Sequence, residues 1–400
     1  MSMWSGRHVV VGVTGGIASY KSCYLVRRLV EAGARVDVIL TEGAAEFVRP
    51  LTFEALSGRP VLTSLWAPNA ALEHVRLAQQ ADLVIVAPAT ASTLARMAAG
   101  IGDDLLTTLL LARSGPVLVA PAMNDGMYAH PATRANLAAL VARGVATVGP
   151  EVGPLAEGAS DRPGRMSEPD VILSHATRLL HRGGPLAGKV VVVTAGPTRE
   201  PLDPVRVVTN RSSGKMGYRL AEVAWERGAE VVLVSGPTQL PVPTGVECVR
   251  IETTKEMEAA VRAALPASDV LLMAAAPSDY RPEEPLLEKR PRQQGRLAVD
   301  FGPTEDILLA TEGARKDGSI IVGFALETGD AMRKGRAKLE RKHLDFIVVN
   351  DALEPGAGFE VDTNRVVIVS QDGREVPVPL ASKRMVAEAI LDAVEARLGR

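Results

Sequence analysis

RHVVVGVTGGIASYKSCYLVRRLVEAGARVDVILT, residues 7–41, contains the plan of the fold. A β-branched run, RHVVVGV (7–13), reads as a strand and ends in the glycine-containing turn TGGIASYK. The next stretch has helical periodicity, with Tyr20, Cys23, Tyr24, Leu25, Leu29 and Val30 on one face and Gly33 at its end. ARVDVILT then reads as a second strand. Residues 189–236 repeat the plan: KVVVVTAGPTREP, a loop through TNRSSGKMG (209–217), the helix GYRLAEVAWERG and the strand AEVVLVSG. EAGARVDVIL and ERGAEVVLVS almost superimpose. Strand–loop–helix–strand units build parallel sheets through right-handed crossovers. One such unit at the start of each half predicts two open α/β domains.

The seam lies in HRGGPLAGK (181–189), rich in Gly and Pro, so the predicted domains are 1–183 and 188–400. Further strands are legible at 81–89, 116–122, 269–277, 319–325, 345–350 and 365–370. These runs are apolar on both faces, as central parallel strands are. Most end in a small residue, Pro or Gly, at the carboxyl edge where open α/β sheets bind ligands.

Composition narrows the function. The 400 residues carry 45 basic and 47 acidic side chains, a net charge of −2, which argues against nucleic acid or an anionic membrane as the main partner. The strongest apolar run, LVIVAPA (83–89), is strand-sized and far too short to span a bilayer. The N-terminus lacks a signal-peptide layout, and Cys23 and Cys248 lie far apart, so a reducing cytoplasm is expected. A dinucleotide oxidoreductase is disfavoured. The first loop is Gly12-x-x-Gly15-Gly16-x-Ala18 rather than Gly-x-Gly-x-x-Gly, and its second strand ends at Thr41 without the ribose-binding acid in register. A mononucleotide phosphate on the helix N-terminus fits better. A tight turn without a ligand is the competing reading.

Taken together, GGIASYK, LEHVRLAQQADLVIVAPATA, PAMNDGMY and GRMSEP resemble the flavin-dependent cysteine decarboxylases. They resemble in particular the decarboxylase half of the bifunctional phosphopantothenoylcysteine decarboxylase/phosphopantothenate–cysteine ligases of coenzyme A synthesis. The resemblance implies a flavodoxin-like first domain with FMN, whose phosphate Gly15, Gly16, Ile17 and Ala18 would wrap. Thr41 and the Ala87–Ser92 turn, through Pro88, Ala89, Thr90 and Ser92, would help hold the flavin. It implies His74, expected just before a helix, as an acid/base group, and Asn124 as the grip on the substrate carboxylate. The bland alternatives are a helix-capping histidine and a turn-stabilising asparagine. Three positions depart from the family pattern. Tyr128 stands for a Trp and Ser92 for an Asn. Ala156-Glu157-Gly158 replaces Ala-Cys-Gly, whose cysteine protonates the enethiol in the last step, and Glu157 is the expected proton donor here.

GPTREPLDPVRVVTNRSSGKMGYRLAE (196–222) resembles the ligase half of the same family. The resemblance implies a second Rossmann-like domain that joins 4′-phosphopantothenate to L-cysteine through an acyl-cytidylate made from CTP. TNRSSGKMG is then an anion cradle, with Ser212 among its hydroxyls. Asn210 matches a catalytic asparagine and Arg206 an acid-binding arginine. Ala275, Ala276 and Asp279 match the nucleotide-binding strand end, with Asp279 near Mg²⁺ and Pro277 departing from the pattern. Lys289 matches the lysine that neutralises charge as pyrophosphate leaves, although Pro291 interrupts that motif. Glu305, Asp306, Ile307, Leu308, Phe324, Lys338 and Lys342 match further nucleotide-binding positions, the two lysines being expected on one helical face. The family further implies a homo-oligomer, a trimer-forming decarboxylase and a dimer-forming ligase together giving a dodecamer. The alternative is a ligase whose first half only binds FMN or a partner, because the loop cysteine is missing.

Overall fold

The computed structural model describes residues 3–66, 72–289, 298–327, 329–351 and 361–399. The chain divides into two compact units, Met1–Leu180 and His181–Arg400.

In the first unit, five strands form one parallel sheet: β1 (His8–Val13), β2 (Arg35–Leu40), β3 (Leu83–Ala89), β4 (Val117–Pro121) and β5 (Ala146–Thr147). Their order is β2-β1-β3-β4-β5, the flavodoxin-like doubly wound arrangement. Val9, Val10 and Val11 are all fully buried, because helices cover both faces of the sheet. Helix α1 (Ser19–Glu31) packs on one of these faces, but through Ser22, Leu25, Val26 and Leu29. Tyr20 and Tyr24 stay 51% and 61% exposed, which corrects the predicted apolar face. Apolarity alone located the stripe slightly off true, because the small Ser19 and Ser22 let the helix sit close to the strands and turn its tyrosines outward.

His74 lies inside helix α2 (Glu73–Gln80) rather than before it. The helix starts at Glu73, whose carboxylate is favoured in a first turn and pairs with Arg76. Helix α3 (Ala91–Ala99) follows β3 directly, and the short helix α4 (Asp125–Ala129) follows β4.

In this unit a carboxylate lies between sheet strands. Asp37 on β2 accepts from His8 Nε2 at 2.7 Å and from Arg59 Nε at 2.5 Å. Burial pushes the Asp37 carboxyl up, but these two hydrogen bonds and the Arg59 charge outweigh it and hold the group at about 2. Its ordinary value is near 3.9, so the stabilisation is complete above that pH and is lost as pH falls towards 2. The contribution is roughly 2–3 kcal/mol, from a shift of just under two units at 1.36 kcal/mol each. Asp37→Asn should therefore lower stability at pH 7 and flatten its loss between pH 4 and pH 2, as chemical denaturation across that range would measure.

In the second unit an eight-stranded sheet holds β6 (Val190–Ala195), β7 (Glu230–Ser235), β8 (Glu247–Arg250), β9 (Val270–Met273), β10 (Ile320–Glu327), β11 (Phe346–Asp351), β12 (Thr363–Ser370) and β13 (Glu375–Ser382). The order is β8-β7-β6-β9-β10-β11-β12-β13. Its first six strands are parallel in the Rossmann order 3-2-1-4-5-6. Strands β12 and β13 are antiparallel additions, so the run at 365–370 is not the parallel strand its apolarity suggested. Val366 and Ile368 bury into one core while Val369 buries into another. A run apolar on both faces thus reports coverage and not chain direction, and the tight turn at Gly373 then returns the chain along β13. Helix α5 (Lys215–Glu226) and the C-terminal helix α7 (Lys383–Leu398) are joined by Arg384 to Glu226 and Arg227 to Glu395 ion pairs. Helix α6 (Ala331–Arg341) lies between β10 and β11 in the chain.

Candidate functional site

Each sheet reverses its strand order once beside its first strand, and loops diverge there to leave a crevice. In the first unit the crevice opens between β1 and β3. Thr14, buried at the end of β1, joins the two loops: its Oγ1 donates to Pro88 O at 2.7 Å and accepts from Thr90 N–H at 3.1 Å. Gly15 is pressed against a neighbouring backbone, where a Cβ would stand 2.8 Å from the Gly43 carbonyl carbon. Ser19 Oγ donates to Gly16 O at 2.7 Å. Helix α1 has no side-chain cap and no acid in its first turn, so its leading N–H groups suit an anion.

The cavity at this point measures about 560 Å³. Gly15, Gly16, Ile17, Ala18, Thr90 and Ser92 form one side, and Asn124 and Glu157 belong to the other. Asn124 caps α4 with its Oδ1, which accepts from Gly126 N–H at 2.8 Å and Met127 N–H at 3.3 Å. That fixes the amide orientation and directs Nδ2 to the carboxylate of Glu157. Turn stabilisation and a donor directed at a carboxylate therefore coexist in one side chain.

Three expected flavin residues stand outside the lining. Thr41 caps the short helix Glu42–Ala45, and Pro88 and Ala89 are buried in the strand. His74 does not line the cavity either. Its Nδ1 is buried without a hydrogen-bond partner among the described residues. Lys21, Arg165 and Met166 do line it, and the sequence reading missed them. Lys21 is buried, with Nζ donating to Met166 O at 2.8 Å and pairing with Glu168 at 3.0 Å. Its signal was its place one helical turn before the buried Leu25, a position from which a cation must reach a partner.

In the second unit the reversal falls between β6 and β9. Gly214 adopts φ 77° as the cap of α5, which again has no side-chain cap and no acid in its first turn. Asn210 Nδ2 donates to Ala276 O at 3.2 Å and Pro277 O at 2.9 Å, bringing the cradle loop to the strand end. Ser212 Oγ accepts from Gly214 N–H at 3.4 Å. Thr238, whose Cγ2 a Cβ on Gly214 would approach to 2.7 Å, is held by Tyr218 Oη at 3.0 Å, itself held by Arg250 at 3.0 Å. Thr238 and Arg250 lie outside every quoted motif and Tyr218, inside one, had no role assigned, so these three supports were missed.

A cavity of about 340 Å³ follows, lined in part by Ala275, Asp279, Glu305, Asp306, Ile307, Leu308, Phe324 and Lys342. The two expected helical lysines diverge. Lys338 on α6 pairs with Glu327 at 2.5 Å, whereas Lys342 lies just beyond the helix and pairs with Asp306 at 2.9 Å. The expectation of one shared helical face is thus corrected by the helix ending first. Arg206 does not line this cavity; its guanidinium pairs with Asp203, and that hydrogen bond holds the Asp203 carboxyl down to about 2. Lys289 is exposed, and the following Arg290, Pro291 and Arg292 lie outside the described residues. Among the described residues no cluster of three His, Cys, Asp or Glu side chains suits a metal, Asp279 included. Nor is any helix among them long and apolar enough to cross a membrane.

Comparisons with known proteins divide the chain in the same way. Residues 2–181 match the Flavoprotein family model, and residues 186–398 match the DNA/pantothenate metabolism flavoprotein C-terminal domain. The coenzyme A biosynthesis bifunctional protein CoaBC of Vibrio cholerae is 44% identical over 404 residues, covering 100% of both chains. That of Bacillus subtilis is 45% identical over 399 residues, with 98% of each chain covered. That of Mycobacterium tuberculosis is 47% identical over 403 residues, covering 97% of this chain and 96% of its own. Among solved structures, the C-terminal domain of a CoaBC protein is 40% identical, with TM-score 0.47, covering 54% of this chain and 99% of its own. A PPC decarboxylase mutant complexed with pantothenoylaminoethenethiol is 29% identical, with TM-score 0.39, covering 43% of this chain and 96% of its own. Matched along its whole length by such relatives, the chain belongs to the CoaBC family of bifunctional coenzyme A biosynthesis proteins.

Proposed function

We propose that the second half joins 4′-phosphopantothenate to L-cysteine at the expense of CTP, and that the first half decarboxylates the product to 4′-phosphopantetheine with FMN. One observation carries the reading. Each half sets an uncapped helix start, free of acids, against a glycine turn at its strand-order reversal; the first such turn lines the cavity of about 560 Å³, and the second is tied by Asn210 to Pro277, which lines the one of about 340 Å³.

In the first half, the α1 N-terminus and Gly15–Ala18 would receive the FMN phosphate, with Thr90 and Ser92 beside the flavin. FMN supplies a reversible electron sink, which a carboxylate needs before it can leave. Asn124 Nδ2, held outward by its own capping bonds, grips the substrate carboxylate. Glu157, at the cavity wall, delivers the last proton in place of the usual cysteine. Thr41, Pro88 and Ala89 act from behind as supports for the turns they build.

His74 serves as acid/base in this reading, and its place away from the cavity lining favours a site completed by a second copy. Ile17, Tyr20 and Tyr24, 60%, 51% and 61% exposed along one side of α1, offer an apolar surface for that copy. The protein would accordingly work as a homo-oligomer.

In the second half, the α5 N-terminus with Ser212 would hold nucleotide phosphates. Ala275, Ile307, Leu308 and Phe324 line the cavity and would frame the base and ribose with the neighbouring Ala276, while Asp306 aims Lys342 with Glu305 beside it. Lys338, Lys342 and Lys289 supply positive charge as pyrophosphate leaves, and Arg206 binds the acid substrate after exchanging Asp203 for it. Asn210 donates to the developing oxyanion when cysteine attacks. Mg²⁺ would be carried chiefly by the nucleotide phosphates, and Asp279 is the residue that would meet it from the protein.

The experiment is direct. Full-length protein given 4′-phosphopantothenate, cysteine, CTP and Mg²⁺ should yield 4′-phosphopantetheine and carbon dioxide by mass spectrometry. Accumulation of 4′-phosphopantothenoylcysteine would instead mark the first half as a flavin-binding module without turnover. No product of either kind would refute the reading.

A further inference from the structure

The geometry points to Glu157 as a latch that closes the first cavity in the absence of substrate and that the substrate's own carboxylate displaces. This inference rests on the decarboxylase reading and adds a step to it. Its starting point is the loop between Val152 and Pro163. Leu155 and Gly158 exchange both backbone hydrogen bonds, at 2.8 and 3.1 Å, which makes Ala156-Glu157 the two-residue tip of a tight turn. Gly158 turns the chain with φ 131°, a conformation that side-chain-bearing residues rarely adopt. The tip is therefore a built structure that presents the Glu157 side chain in one direction.

That direction is the cavity. Glu157 accepts a hydrogen bond from Asn124 Nδ2, and both residues line the same space. Two further ties hold the loop to the same segment. Ser160 Oγ donates to Asp125 at 2.6 Å, and Met123 N–H donates to Gly164 O at 3.0 Å. Neither of those touches the atom that a ligand needs. The amide oxygen of Asn124 is committed to Gly126 and Met127, so Nδ2 is the only polar atom this side chain can offer to an anion. In the closed loop that atom already holds a carboxylate, namely the one on Glu157.

Nδ2 carries two N–H bonds and Glu157 takes one of them, but a substrate carboxylate brought to the other would set two like charges side by side at one nitrogen, and they repel. Binding therefore displaces Glu157, while the Ser160 and Gly164 ties keep the loop over the cavity. Loss of carbon dioxide removes the competitor, and Glu157 returns to Asn124. The latch thus taxes ligands that carry the carboxylate and is indifferent to those that lack it. It also leaves Glu157 beside the substrate at the stage of the proposed proton transfer, for which the carboxylate must first take up the solvent proton that decarboxylation consumes. No covalent step is added.

The test uses the full-length protein and two probes. One is 4′-phosphopantothenoylserine, which keeps the carboxylate and lacks the thiol. The other is its decarboxylated counterpart, which lacks both. Calorimetric titration of wild type and Glu157→Ala should show the variant binding the first probe about tenfold more tightly if the latch is nine-tenths closed, with no change for the second. Glu157→Gln, which can still accept from Asn124 but without charge assistance, should fall between them. In turnover, Glu157→Ala should lower KM for 4′-phosphopantothenoylcysteine, separately from any fall in kcat that loss of a proton donor brings. Unchanged or weaker binding of the carboxylate probe by the variant would overturn the latch, as would equal tightening for both probes. If wild type and variants alike bind neither probe, the decarboxylase reading falls and the latch with it.

Discussion

Alanine at Gly15 should leave the purified protein almost colourless. The residue does not need glycine for its φ angle but for the space behind it. An added Cβ would lie 2.8 Å from the Gly43 carbonyl carbon and 3.0 Å from both its Cα and its oxygen. All three are backbone atoms within the short helix Glu42–Ala45 that follows β2, so neither partner can swing aside as a long side chain would. Overpacking of this kind costs on the order of 1–3 kcal/mol, and here it is relieved by moving the loop that begins α1. Because the proposed anion site consists of backbone N–H groups at that helix start, a small displacement would spoil it directly. Flavin absorbance per protein should fall to about a tenth or less, at roughly tenfold per 1.4 kcal/mol. Gly43→Ala is the control. Its Cβ would meet Gly15 Cα at 3.5 Å, an ordinary contact, so this variant should stay yellow. If Gly15→Ala keeps its flavin in full, the loop does not hold the cofactor as proposed.

The second large effect is expected at Gly217, in the first turn of α5. A Cβ there would stand 2.6 Å from Ala195 Cβ, 2.7 Å from Thr194 O and 3.0 Å from Ala195 Cα. The helix start lies directly against the end of β6, and only hydrogen separates them. Gly217→Ala must push α5 off the sheet at the point where Gly214 and Asn210 shape the cradle. The same helix carries Tyr218, Leu220, Ala221 and Ala224 into the main core of this unit. We expect a loss of about 3 kcal/mol in the stability of the second unit, the upper end of ordinary overpacking. CTP-dependent pyrophosphate release should fall with it, while flavin absorbance from the first unit persists. Denaturant unfolding followed alongside flavin absorbance would separate the two halves. Equal loss of flavin, or unaltered ligation, would contradict the assignment.

These two glycines show where sequence reading succeeds and where it stops. Both stand in the stretches that revealed the fold, TGGIASYK and TNRSSGKMG, as glycines between a strand and a helix. Which glycine is needed, and against what, depends on contacts with Gly43 and Ala195, which no local pattern displays. The same holds for the side chains behind the cradle. Thr238, Tyr218 and Arg250 come from a loop, a helix and an edge strand, and their hydrogen bonds exist only once the sheet has brought those elements together. Lys21 was passed over because a cation on the inner face of a helix looks misplaced until the Met166 carbonyl is seen waiting for it.

From the sequence by itself came the strand–turn–helix units, the two α/β halves, the glycine turns at the helix starts and about half of the residues that line the two cavities. All of these follow from local periodicity and from glycine's small size, which act over a few residues. Tertiary structure alone decided that β12 runs antiparallel, that Tyr20 and Tyr24 face outward, that Lys338 and Lys342 find separate carboxylates and that Glu157 reaches Asn124. Each of those depends on which distant segments meet, and packing and charge pairing are settled only when they do.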